Sequence, residues 1–266
     1  MWRPEVAWVS FLNLWHANEV RLNMSNWPKL TKAPIVEALI DIRVDRSSSA
    51  TIEVLKALGD DLAEQFPTRV ERRRWTGHVW LQPDASPNLS TSADEVDGVV
   101  LRSPDNLWVA QFGFDGFTLS RLSPYLSWEE LRVKVEELWT RYEHAARPAR
   151  IARIGARFIN RIPLDQGVDL EKTFRTTFVV SPSLPQGVAG FLLRFLIPFS
   201  SEGSNAIVTQ SLEGGNADCI FDVDAFSERA EGFSTAEMWD KLNELREIKN
   251  RLFFESLTTD ATERFR

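Results

Sequence analysis

One cysteine, Cys219, stands in a chain of 266 residues. Without a second thiol no internal disulfide can form, and the chain suits a reducing cytoplasm. In the context DCIFDVD a lone cysteine reads as a small buried apolar group and not as a nucleophile. Histidine is nearly as scarce: His16, His78 and His144 are scattered, with no HExxH or other zinc spacing. No window approaches ~18 uninterrupted apolar residues, so no transmembrane helix and no membrane partner are expected. P-loop, GxGxxG and GxSxG patterns are all missing, which removes the common phosphate, dinucleotide and serine-hydrolase signatures. No cofactor is expected. The formal net charge of −7 argues against a protein that coats nucleic acid by bulk charge. The basic run RVERRRW (69–75) sets Arg72 and Arg74 on one strand face and Arg73 with Trp75 on the other. It reads as charge that blunts a sheet edge and less as a base-stacking platform.

What is present is strong periodicity. In APIVEALIDIRV (33–44), Ala38, Ile40, Ile42 and Val44 alternate with Glu37, Leu39, Asp41 and Arg43, the signature of a half-buried strand. TIEVLKALGDDLAEQF (51–66) spaces Ile52, Leu55, Leu58, Leu62 and Phe66 as a helix, stopped by Pro67. A strand over 68–82 is followed by PDASPNLSTSADEVDG (83–98), whose Pro, Ser, Asn and Asp content predicts a loop. Three strands follow, with a two-residue hairpin turn predicted at Asp115-Gly116. A helix with a Ser127 to Glu130 capping box closes this half. The plan then recurs: the strand RIARIGARFINRI (150–162), a short helix with Asp169 as N-cap, a strand within 187–199, and a hairpin around EGGN. A long helix capped by Ser234 and Glu237 ends it, with Met238, Leu242, Leu245 and Leu252 as its apolar seam.

The expected organisation is therefore α+β in two similar halves, 24–149 and 150–266. Each is strand, helix, antiparallel strands and long helix. Paired edge to edge, the halves make one curved antiparallel sheet backed by helices, as in TATA-box-binding-protein-like and helix-grip folds. Residues 1–23, with Trp2, Trp8 and Trp15 and no regular pattern, read as an upstream extension or loosely packed arm before Met24.

The candidate site is a row of arginines. Arg153, Arg157 and Arg161 recur every fourth residue and so share one strand face, opposite Ala152, Ile154, Ala156, Phe158, Asn160 and Ile162. Guanidiniums suit phosphate or carboxylate ligands. If the first strands of the two halves meet, Glu37 and Asp41 become carboxylate partners of the row, and its role is structural. Arg157, at the centre, is expected to matter most. Asp222 and Asp224 share a strand face, where their oxygens could hold a divalent cation such as Mg²⁺. The reading that follows is a non-catalytic binding or interaction protein whose partner is a protein or a small anionic ligand. The alternative is a metal-dependent phosphoester hydrolase, or an anion- or nucleotide-binding enzyme, that uses the arginine row.

APIVEALIDIRV, RIGARFINRI and KNRLFFESLT (249–258), in this order and spacing, resemble an uncharacterised, sporadically distributed family of bacterial proteins. The resemblance spans nearly the whole chain and implies no reaction, cofactor or catalytic residue. Sporadic distribution implies horizontal transfer, as for cargo of defence or toxin-neutralising loci.

Overall fold

In a computed structural model, the described residues are 27–80, 88–164, 170–199, 203–212 and 218–266, with the side chains of 75–80 and 88–94 excluded. The arm at 1–23, the Asp169 cap and the EGGN turn lie outside them.

The period-two segments form strands β1 (Ile35–Asp45), β2 (Thr68–Trp80), β3 (Asn88–Arg102), β4 (Trp108–Gly113), β5 (Gly116–Leu122), β6 (Arg150–Pro163), β7 (Phe191–Pro198), β8 (Ser204–Leu212) and β9 (Asp218–Phe233). All join one sheet of nine strands in the order β2-β3-β4-β5-β1-β6-β9-β8-β7, and every pairing is antiparallel. The helices are α1 (Ile52–Asp61), α2 (Trp128–Ala146), α3 (Leu170–Thr173), α4 (Thr235–Ser256) and α5 (Thr259–Glu263). Among the described residues no helix is long and apolar enough to cross a membrane.

One face of the sheet is apolar and covered. Ala38, Ile40 and Ile42 of β1, Ile154, Ala156 and Phe158 of β6, and Phe221, Val223 and Ala225 of β9 are all buried. Against them α4 brings Met238, Leu242, Leu245 and Ile248, and α2 brings Leu131, Val135, Leu138, Trp139 and Tyr142. Residues from both halves belong to the same core. Cys219 is fully buried in it, and burial pushes its thiol up to about 11. The helix starts obey their caps. Ser234 accepts from the Glu237 amide while the Glu237 carboxylate reaches back to the Ser234 amide. Ser127 accepts from the Glu130 amide.

Two local expectations fail. The segment 88–97, expected to be loop, is strand: β3 runs from Asn88 and pairs with β2 along its length. Backbone pairing with a neighbouring strand outweighs the weak strand preference of Ser, Asn and Asp. The β4–β5 turn is Phe114-Asp115, one residue earlier than expected, with Gly113 paired to Gly116. Gly116 instead opens β5 with φ +148°, where a Cβ would lie 2.2 Å from the Ile42 carbonyl oxygen. Close approach of the β1 backbone, and not the turn, demands glycine there.

Candidate functional site

The face of the sheet opposite the helices carries the arginine row, and β1 does pair with β6. The partners are more numerous than β1 alone supplies. Asp41, 7% exposed, is the centre. It accepts from Arg43 Nε at 3.0 Å, from Thr118 Oγ1 at 2.8 Å and from Arg153 Nη1 at 2.8 Å. Arg153 continues to Asp224 at 3.1 Å and Glu228 at 3.2 Å, and its guanidinium lies 4.6 Å from the Phe226 ring centre. On the other side Arg43 reaches Asp115 at 3.2 Å. Asp115 also takes Arg72 at 2.6 Å and Arg74 at 2.7 Å, and both arginines bind Asp97. A chain of charges thus crosses the sheet from β2 to β9. Arg72 is a member of it, not a solvated edge charge.

Glycines make room for this belt. A Cβ on Gly113 would sit 2.1 Å from Arg72 Nη2, and one on Gly155 would sit 2.9 Å from Arg153 Nη1. The guanidiniums lie flat across the strands because these positions carry no side chain.

The three arginines of the row are not equivalent. Arg153 binds carboxylates of β1 and β9 and its side chain is 21% exposed. Arg157 forks onto one carboxylate, Asp222, through Nη2 at 2.6 Å and Nε at 2.9 Å, and stays 43% exposed. The Asp222 hydrogen bond pushes its guanidinium further up. Arg161 is exposed and makes no ion pair among the described residues. Glu37 acts on Arg157 through its charge alone. The hub is therefore Arg153, one step from the centre of the row.

Asp222 and Asp224 share a face as expected, but each is engaged by an arginine. Burial pushes the Asp224 carboxyl up, only partly offset by Arg153 and Arg157. Burial also acts on Asp115, but there the Arg72 hydrogen bond and the charges of Arg72, Arg43 and Arg74 prevail and hold it below the usual range. No group of three His, Cys, Asp or Glu side chains is placed to hold a metal ion among the described residues.

On the helix side of the same strand lies a cleft of about 590 Å³ between Trp27–Ile35, the start of α2, β6 and α4. Phe158, buried in the core as expected, lines it together with Asn160. Asn160 is 2% exposed. Its Nδ2 donates to the Phe158 and Phe221 carbonyls at 3.3 and 3.0 Å, while its Oδ1 has no partner. Lys249 of α4 lays its ammonium 3.8 Å from the Phe158 ring centre. Lys249 is half-buried, and burial with the nearby Arg246 charge drops its ammonium to about 7. Each of the stretches APIVEALIDIRV, RIGARFINRI and KNRLFFESLT contributes to this wall.

The cleft escaped the sequence reading, though two signals point to it. Asn160 is the polar break on the apolar face of β6. Lys249 fills the vacant position of the α4 seam between Leu245 and Leu252. Lys249→Met should therefore raise the melting temperature by a few degrees at pH 6–7. Between about pH 7 and the ordinary lysine value the unfolded chain binds more protons than the folded one. Wild-type stability rises with pH across that window, so the gap to the variant should close toward about pH 10. Melting curves across this range check it; a gap that is absent at pH 6 or independent of pH refutes the buried ammonium.

Neither family models nor curated proteins match the chain.

Proposed function

We propose that the chain is a non-catalytic binding protein that engages another protein through the face of its sheet opposite the described helices. The observation that carries this is the pair Leu192 and Leu196, 72% and 64% exposed on the edge strand β7. Cross-strand register sets them on the same face as the arginine row. Leu196 lies in line with Ile207, Asp224, Arg157 and Leu39, and Leu192 with Ser211, Ile220 and Arg161. Exposed aliphatic side chains at a sheet edge are what a partner protein covers. Full burial of one leucine is worth roughly 1.5–3 kcal/mol.

Most of the guanidiniums on this face are already neutralised by carboxylates, which supports a scaffold role for the belt and leaves Arg161 and Arg194, the latter between the two leucines, for recognition. The partner in this reading offers apolar groups to Leu192 and Leu196 and a carboxylate to Arg161. The sheet order also supports internal duplication. Outward from the β1–β6 seam the chain order is first strand, last strand, then backwards on both sides, β1-β5-β4-β3 and β6-β9-β8-β7. Such a duplicated sheet with helices on one side is the arrangement of the TATA-box-binding-protein-like and helix-grip folds. Membership of the sporadically distributed bacterial family, and a place in a toxin-neutralising locus, would suit a protein partner.

The test is a native pull-down in which the recovered partner is identified, purified and titrated. Leu192→Asp/Leu196→Asp should weaken its binding at least tenfold, and Arg161→Glu should weaken it measurably, with melting temperatures unchanged. Equal affinity of both variants would end the reading.

A further inference from the structure

The cleft on the helix side combines features that a mere packing defect lacks. Its cation has no counter-ion among the described residues. Lys249 makes no hydrogen bond or ion pair with any described side chain; its contact is the face of Phe158. The charged groups around it do not supply one. Arg246, on the same helix, bonds Glu129 at 3.1 Å and lies 5.6 Å from the Trp128 ring centre. Glu247, also on α4, takes the Trp27 indole N–H at 3.1 Å. Lys29 lines the segment that precedes β1, and Tyr125, with its hydroxyl held protonated by burial, lines the approach to α2. On the β6 side the neighbouring polar group is Asn160, whose unused Oδ1 is an acceptor. Its orientation is set by the two carbonyls that its Nδ2 serves, since an oxygen could not donate to them.

An unpaired ammonium against an aromatic wall, partly stripped of water, costs free energy in the empty protein. That cost is relieved by a molecule that carries an anion. The walls add the rest of the specification. Trp27 stacks on Phe254 at 5.2 Å with an interplanar angle of 2°, Tyr125 meets Phe158 edge-on at 5.5 Å, and Trp128 lies 6.5 Å from Phe158. Volume and aromatic lining match those of pockets for small organic ligands.

We propose that this cleft binds a small organic monocarboxylate with an aromatic or other flat apolar body, the carboxylate on Lys249 and the body against the Trp27, Tyr125 and Phe254 rings. A carboxylate fits better than a phosphate monoester because a single unpaired cation matches one negative charge, whereas a phosphate monoester brings ≈ 1.5–2. The site lies on the opposite face of β6 from the arginine row, so the fate of the protein-binding reading does not decide it. Binding an anion restores the charged form of Lys249, so association takes up a proton between pH 7 and 9.

The test is calorimetric titration of the full chain with 4-hydroxyphenylacetate, its neutral amide, its des-hydroxy analogue and phenyl phosphate, at pH 8 in buffers of different ionisation heat. The expected result is binding of 4-hydroxyphenylacetate with proton uptake, accompanied by a change in tryptophan fluorescence. Affinity should be at least tenfold weaker for the amide and phenyl phosphate, and similar for the des-hydroxy acid. In Lys249→Met, whose fold is expected to be more stable, the affinity should drop at least tenfold and the proton uptake vanish. Arg161→Ala, on the far face, should bind as wild type does. No binding of the hydroxylated acid at millimolar concentration, or equal binding by Lys249→Met, overturns the proposal. So does borohydride trapping of 4-hydroxybenzaldehyde on Lys249 without carboxylate binding, which would make the lysine a carbonyl nucleophile instead.

Discussion

Arg153→Ala should lower the free energy of unfolding by roughly 2–4 kcal/mol, the largest loss of any arginine in the row. The cost comes from what is left behind. Asp41 is 7% exposed and Asp224 is half-buried, and both lose a guanidinium that no water can fully replace. Asp41 keeps Arg43 and Thr118, which is why the loss stays below that of an entirely orphaned buried charge. Arg157→Ala should cost about 1 kcal/mol, because Arg157 is 43% exposed and solvent screens its pair with Asp222. Arg161→Ala should fall within about 0.5 kcal/mol of wild type. Urea denaturation of the three variants, followed by tryptophan fluorescence, measures the order directly. A loss at Arg153 no larger than that at Arg157 would show that the belt is a solvated surface network and not part of the fold's framework.

Phe117→Ala should cost about 3–5 kcal/mol, the range for emptying a buried aromatic site. Phe117 is fully buried and lies among Phe112 at 5.2 Å, Tyr142 at 6.3 Å and Trp139 at 6.5 Å. Tyr142 is tied at its far end, its hydroxyl donating to the Gly113 carbonyl at 2.9 Å, so the cluster cannot close over the void without breaking that bond. The next residue, Thr118, points to the opposite face and bonds Asp41. Core and belt are thus joined through one strand, and loosening β5 should weaken both. Val70→Ala, at a position 52% exposed on the open face, serves as the control with little expected change. Equilibrium unfolding separates the two, and a Phe117→Ala loss under 1 kcal/mol would mean that the aromatic cluster repacks.

Alternation was enough to identify β1 and β6 and to sort Ile40 from Asp41 and Phe158 from Arg157, and the Ser-x-x-Glu spacing marked the capped starts of α2 and α4. These features depend on neighbours in the chain: side chains two apart share a strand face, and a serine caps the amide three residues on. The same logic put Arg153, Arg157 and Arg161 on one side and named Glu37 and Asp41 as their carboxylate partners, but it read Asp222 and Asp224 as metal ligands where the structure pairs them with arginines. What it could not rank was the row itself. Arg153 and Arg157 have the same local pattern, and they differ because β9 and β1 bring Asp41, Asp224 and Glu228 around the first and Asp222 alone onto the second. Sheet order, set by pairing between residues far apart in sequence, decides that. The strand at 88–97 shows the same dependence, since pairing with β2 fixes a conformation that Ser, Asn and Asp do not choose by themselves. The cleft is the extreme case. Trp27, Asn160 and Lys249 are scattered along the chain, and only the packing of α4 and Trp27–Ile35 on β6 strips water from the lysine and leaves the amide oxygen without a partner. Desolvation belongs to the folded volume, not to any local run of residues.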